Sequence, residues 1–306
     1  MPKRSTAVVC ATVFAAAIMF HLALAAVQSR SPHGAKFVLK GHTKRTAPTD
    51  LEIGGDVEGV PPGATRYLTR EDLLTLPQVT YTVIDDTNFG GPTRVQGILL
   101  EDLIRTLASH PDSELAIAIC DDQYHAHYPQ AYLADHHPLL VLEVNGEPPE
   151  RWPKSTEGDA QSMGPYMISH GEFKPSSKIL AQQQDEPQVP WGVVRLEFRD
   201  ERAFFDRIMP RGSNASDAAV QAGYLIARQN CLRCHNAGSE GGQKARHPWL
   251  VLSAWATASP KYFAAYVRYP QAQNPQARMY PNPEYDDATL NALIAYFKTF
   301  SLPEKP

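Results

Sequence analysis

The sequence predicts two unlike domains: an α+β domain with a mixed sheet over residues 36–205 and an all-α domain over 216–303, joined by a linker at 206–215. Three observations predict this. Segments with two-residue apolar alternation recur before residue 200 and then stop. After "RAFFDRIMPRGSNAS" only helical periodicity is left. The length of 306 residues and the apolar content of 43% are enough for two cores of ordinary size. Twenty-six prolines favour short elements and long turns over a helical bundle. The formal charge of −4 has no strong sign, so composition implies neither nucleic acid nor an anionic membrane as partner.

In the front region, "YLTREDLLTLP" holds a short helix with Thr69 as N-cap and Pro77 as its stop. "VTYTVID" (79–85), "ELAIAIC" (114–120) and "VVRLEFR" (193–199) read as half-buried strands. "GILLEDLIRTL" (97–107) sets Leu100, Leu103, Ile104 and Leu107 on one helical face. Asn145-Gly146 supplies a tight turn, and "EPPERWPKSTEGDAQS" is a polar loop. Behind the linker, Ser216 caps a helix whose apolar positions are Val220, Gly223, Tyr224 and Ala227. Ser259-Pro260 opens a second helix with Phe263, Tyr266 and Val267 inward. Asp286 and Asp287 open the last, with Leu290, Leu293, Ile294 and Phe297 inward.

The first residues, "MPKRSTAVVCATVFAAAIMFHLALAAVQSR", join a basic start (Lys3, Arg4) to an Ala-rich apolar run and an A-x-A site at Ala23-Leu24-Ala25. We expect residues 1–26 to be a secretory signal, with a retained anchor as the rival, since the run from Ala7 to Val27 is long enough to span a bilayer. Either way the body is expected outside the cytoplasm, in the periplasm. Cys10 goes with that segment, which leaves Cys120, Cys231 and Cys234, an odd count that excludes a disulfide framework.

"QNCLRCHNAG" (229–238) has the C-x-x-C-H spacing. A redox dithiol belongs between a strand and a helix of a βαβ unit, whereas both flanks here are helical or irregular. Zinc wants a second ligand pair, and the remaining cysteine is single and distant. Haem attachment needs less: two thiols one helical turn apart add to the vinyl groups, and the adjacent histidine lies under the iron. Met279, in "ARMYPNPEY", offers the thioether that a low-spin electron carrier uses as sixth ligand.

Residues 214–303 resemble the class I cytochrome c family. "AGYLIARQNCLRCH" resembles its first helix, with Gly223 where two helices cross closely; "HPWL" its turn after the haem motif; and "YFAAYVRYPQ" its middle helix, ending at Pro270. "ARMYPNPEYDDATLNALIAYFKTF" resembles its methionine loop and closing helix, where Tyr296 is the aromatic that meets Gly223. Tyr280 is a departure, since the family often has proline directly after the methionine. The resemblance implies one covalent haem c, with Cys231 and Cys234 as thioethers, His235 as proximal ligand and Met279 as distal ligand. His247 is the alternative sixth ligand.

Residues 50–200 resemble, more loosely, the sulfite oxidase-like molybdopterin-binding family. The match runs through "YLTREDLLTLPQVTYTV", "VQGILLEDLI", "AIAICDDQYHAHYP", "LLVLEVNGEPP" and "MGPYMIS". Three departures argue against molybdenum. Asp85 stands where the family has its molybdenum-binding cysteine, Met167 stands for a basic residue, and Gln123 for a glycine. Cys120 is the remaining candidate thiolate, and in register with Ala116 and Ala118 it also reads as a small buried hydrophobe. His125 and His127, with Asp121, Asp122 and His136-His137 nearby, could hold copper or zinc, or form a solvated strand end. His110 and His170 fit no pattern.

These readings imply an exported electron carrier that works with periplasmic redox partners. Its front domain, without molybdenum, binds a partner or small ligand and has no catalytic residue that the sequence names. Membrane association follows only if the leader is retained. Two alternatives stay open. One is a molybdenum oxidoreductase passing substrate electrons to the fused haem, with Cys120 on the metal. The other is a haem-based sensor in which Met279 leaves the iron.

Overall fold

The order of elements is sheet first, helices after. In the computed structural model, which describes residues 41–108, 112–156, 161–171, 173 and 179–300, the strands and front helices are β1 (Leu51–Gly55), β2 (Arg66–Leu68), α1 (Arg70–Leu74), β3 (Val79–Val83), β4 (Thr93–Leu99), α2 (Leu100–Leu107), β5 (Leu115–Cys120), β6 (His125–Tyr128), α3 (Gln130–His136), β7 (Leu139–Val144), β8 (Tyr166–Ser169), α4 (Ile179–Gln182) and β9 (Trp191–Arg199). The expected leader, Cys10 and His110 lie outside the described residues. Among the described residues, no helix is long and apolar enough to cross a membrane.

All nine strands share one mixed sheet ordered β2-β1-β9-β8-β7-β4-β3, with β5 paired to β9 and β6 paired to β5. The β1–β9 pair is parallel, and the others are antiparallel. The sheet buries both faces. Ala116, Ala118, Leu140 and Leu142 enter one apolar cluster with Leu100, Leu103 and Leu107 of α2. Leu139 and Val141 enter another with Met163 and Met167. This two-sided burial is why β5 ("LAIAIC") and β7 ("LLVLEV") are continuous apolar runs.

The helix expected over 97–107 begins only at Leu100, because Gly97, Ile98 and Leu99 pair as strand with Val141, Leu140 and Leu139. Gly97 sits at an irregularity where a Cβ would lie 1.9 Å from the Leu140 carbonyl, so the two backbones can meet only over glycine. Thr69 caps α1 in a reciprocal box with Asp72, and the helix stops at the Thr75 cap, two residues short of Pro77. Asn145 and Gly146 both take positive φ, as the tight turn into Glu147 requires.

The rear region holds α5 (Glu201–Phe205), α6 (Ala218–Ile226), α7 (Trp249–Ala258), α8 (Pro260–Arg268), α9 (Pro270–Gln273) and α10 (Asp287–Lys298). Asp286 caps α10 through the Thr289 N–H and hydroxyl. The cap of α6 is Asp217, not Ser216, and it makes no side-chain bond; Ser259 precedes Pro260 as expected but likewise makes none. At the crossing of α6 and α10, a Cβ on Gly223 would fall 2.0 Å from the Ala292 carbonyl oxygen and 2.7 Å from the Tyr296 Cβ. The Tyr296 hydroxyl donates to the Ile208 carbonyl, so the segment after α5 is anchored to the last helix.

Sheet and helices form one compact unit. The outer positions of β5, Leu115 and Ile117, join the apolar cluster that contains Phe204, Phe205, Ile226 and Phe297. Replacing Gly223 with alanine should therefore destabilise the rear helices by about 1–3 kcal/mol or more, through overpacking against backbone. Denaturant unfolding of G223A checks this, and an unchanged midpoint would contradict the close crossing.

Candidate haem-binding site

The last turn of α6 widens into a π turn at Ala227–Cys231, where Leu232 N–H reaches the Ala227 carbonyl at 3.0 Å. Such turns shift the register of a helix by one residue and recur at functional sites. The chain then makes one more tight turn: Cys234 N–H and His235 N–H both donate to the Cys231 carbonyl, at 3.2 and 2.9 Å. The two cysteines and the histidine thus share a single turn. Gly242 N–H closes the loop on the Leu232 carbonyl at 2.8 Å, and Ala245 N–H on the Cys234 carbonyl at 3.0 Å. A Cβ on Gly242 would lie 1.9 Å from the Arg233 carbonyl, and one on Gly241, whose φ is +90°, 2.5 Å from Leu232 Cδ1. Side chains are excluded at both places.

His235 Nδ1 donates to the His247 carbonyl at 2.6 Å. That bond fixes the tautomer and leaves Nε2 as the free ligand atom, the arrangement expected behind a metal-bound imidazole. Burial pushes the His235 pKa down, although the His247 carbonyl opposes it, a direction that favours the neutral imidazole. His247 lies behind the proximal ring through its own carbonyl, and its side chain is exposed and packed on Trp255 with centroids 4.8 Å apart. This geometry argues against it as sixth ligand.

Burial raises the Cys231 thiol to about 12 and raises Cys234 as well. A redox dithiol needs the opposite shift. Among the described residues no group of three or more His, Cys, Asp or Glu is placed to hold a metal ion. Met279 is partly buried and packs on the same apolar cluster as Cys231. Gln271 Nε2 fixes its loop by donating to the Ala277 and Met279 carbonyls at 3.1 and 2.8 Å, and Asn282 Nδ2 donates to the Tyr280 carbonyl at 3.2 Å. Tyr280 turns outward, 67% exposed, so the departure after Met279 does not crowd the loop. Two thiols on one turn, a neutral imidazole with Nε2 free and a thioether on an adjoining loop fit a covalent haem.

The front domain touches this segment directly. His125 N–H donates to the Arg233 carbonyl at 2.9 Å, and Gln243 N–H to the Gln123 carbonyl at 3.0 Å. Asp122 pairs with Lys244, and Arg199 with Glu240. Just before the cysteines, Gln229 Nε2 and Asn230 Nδ2 donate to the Glu186 and Gln183 carbonyls, both at 2.8 Å. Gln123 takes φ +68° at the head of the turn between β5 and β6. None of these pairings has a sequence signal, since each joins residues more than forty apart.

The other candidates are dispersed. Cys120 is 3% exposed in the sheet core beside Ala116 and Ala118, and burial drives its thiol far upward, which opposes a thiolate. Asp85 accepts from Phe173 N–H at 3.1 Å, and Met167 is fully buried. His127 is buried against Phe204 and Phe205, whereas His136 pairs with Asp185 and His137 with Glu101. His170 is buried beside Phe173.

From this geometry, Met279→Ala should abolish the sulfur-to-iron band of the ferric low-spin spectrum, whereas His247→Ala should keep it, because only the His247 backbone is used. Absorption spectra of the two purified variants check this. Retention of the band in M279A would assign the sixth position elsewhere.

Residues 218–297 match the family described as "Cytochrome C oxidase, cbb3-type, subunit III". A comparison with curated proteins finds no match. Among solved structures, the sulfane dehydrogenase SoxCD from Paracoccus pantotrophus is similar at 17% identity and a TM-score of 0.31, over 56% of this chain and 45% of that one. This chain thus spans less than half of that chain, and the likeness is too slight to carry an argument. What the family match and the site geometry carry together is that residues 218–297 form a cbb3-type cytochrome c domain, set behind an N-terminal mixed-sheet domain.

Proposed function

We propose that this chain is an exported c-type cytochrome that carries electrons through one covalent haem c, bonded at Cys231 and Cys234 and ligated by His235 and Met279. The observation that carries the reading is the bond from His235 Nδ1 to the His247 carbonyl, which presents Nε2 and nothing else as ligand. When bound, the haem supplies a one-electron couple, and a histidine–methionine pair sets it at a relatively high potential. The chain's residues do the remaining work. Cys231 and Cys234 would hold the group, His235 and Met279 would ligate its iron, and the β5–β6 turn bonds the same loop through His125 N–H on the Arg233 carbonyl.

The front domain, on this reading, is a sulfite oxidase-like sheet without molybdenum that serves as a binding body for a redox partner or small ligand. The support is chemical: Asp85 is a poor ligand for a soft metal, and Cys120 is closed into the core with its proton held on. Export to the periplasm is part of the proposal, because attachment of this kind takes place outside the cytoplasm.

Purified exported holoprotein should give a pyridine haemochrome, one iron per chain and no molybdenum by elemental analysis. Absence of the haemochrome would overturn the electron-carrier reading. Stoichiometric molybdenum would make the chain an oxidoreductase, and carbon monoxide binding to the reduced protein would favour a sensor.

A further inference from the structure

We propose that the α+β domain acts as a tethered modulator of the haem potential, and that Arg233, which it encloses beside the haem cysteines, carries the effect. The inference rests on the haem reading above. Arg233 immediately precedes Cys234, and its charge reaches the sulfurs of both Cys231 and Cys234. Its side chain faces the front domain, where Tyr124, Glu186 and Tyr132 interact with the guanidinium. Nε and Nη2 are buried and have no hydrogen-bond acceptor. The turn that covers it is fixed on both sides: His125 N–H bonds the Arg233 carbonyl at 2.9 Å, Gln243 N–H bonds the Gln123 carbonyl at 3.0 Å, and Asp122 pairs with Lys244.

A guanidinium cannot shed its proton to escape burial. Its charge therefore stays beside the cysteines, and with Nε and Nη2 out of contact with water its field is less screened than that of a fully exposed arginine. Ferric haem carries one more positive charge than ferrous haem, so a fixed cation next to the group disfavours the ferric form and raises the midpoint potential. Glu186, whose carboxyl burial pushes up, acts in the opposite sense when ionised. The front domain thus sets the strength of the local field by deciding what surrounds Arg233. Arg233 is a positioning residue for charge and touches no substrate in this account.

Redox titration of full-length holoprotein tests this with three variants, each first checked for a wild-type haemochrome. Arg233→Gln should shift the midpoint potential negative, Arg233→Lys should keep most of the wild-type value, and Glu186→Gln should shift it positive. An R233Q protein with an intact spectrum and an unmoved potential would overturn the proposal. If R233Q fails to attach haem, E186Q decides, since Glu186 lies outside the attachment motif: with both proteins titrated at a pH above the step that Glu186 ionisation puts in the wild-type potential, an unmoved potential, or a wild-type potential with no such step at any pH, overturns it equally. A wild-type chain without haemochrome would instead sink the haem reading itself, so the two failures are distinguishable.

Discussion

The contact on which the rest depends is the seating of the Cys231–His235 turn on β5 and the β5–β6 turn. Strand β5 is apolar on both faces, so one face alone cannot satisfy it. Ala116, Ala118 and Cys120 belong to the front core, while Leu115 and Ile117 need a second cover. The rear helices supply that cover through the cluster containing Phe204, Phe205 and Ile226. Burying each Leu or Ile side chain is worth roughly 1.5–3 kcal/mol relative to exposure, so the shared cluster ties the helices firmly to the strand. Backbone bonds at Arg233 and Gln243 then fix the register in which the two meet.

Within that frame the attachment turn has little freedom. The π turn sets where Cys231 emerges, Gly241 and Gly242 let the loop fold onto its own backbone, and the His247 carbonyl holds the imidazole. The crossing at Gly223 brings α10 against α6, and the Tyr296 hydroxyl ties α10 to Ile208. A partly buried thiol pair with raised pKa values would be a poor redox dithiol. On the proposed reading the sulfurs are thioethers, which carry no proton and lose nothing by burial.

Local signals were legible where one residue does one job. Gly223 and Tyr296 meet as the resemblance implied, Asp286 caps the last helix, and Asn145-Gly146 makes its turn. Signals that depend on what a distant strand does were not. Gly97, Ile98 and Leu99 look helical in sequence, yet β7 claims them for the sheet. The H-x-H pattern of His125 and His127 reads in sequence as a metal pair or a solvated strand end; His127 is buried against Phe204 and Phe205, so that end is not solvated there, and His125 lends its backbone to Arg233. Arg233 itself falls on an unspecified position of the C-x-x-C-H spacing, and the residues that interact with its guanidinium, Tyr124, Glu186 and Tyr132, are all more than forty positions away.

The central claim, that Cys231 and Cys234 are consumed in bonds to one haem while Cys120 stays a buried thiol, is tested most directly by intact-mass spectrometry of the exported chain after alkylation in denaturant. The account predicts a polypeptide heavier by one haem in which, of these three cysteines, Cys120 alone takes up reagent. A chain without the haem mass, alkylated at Cys231 and Cys234 as well, would contradict it.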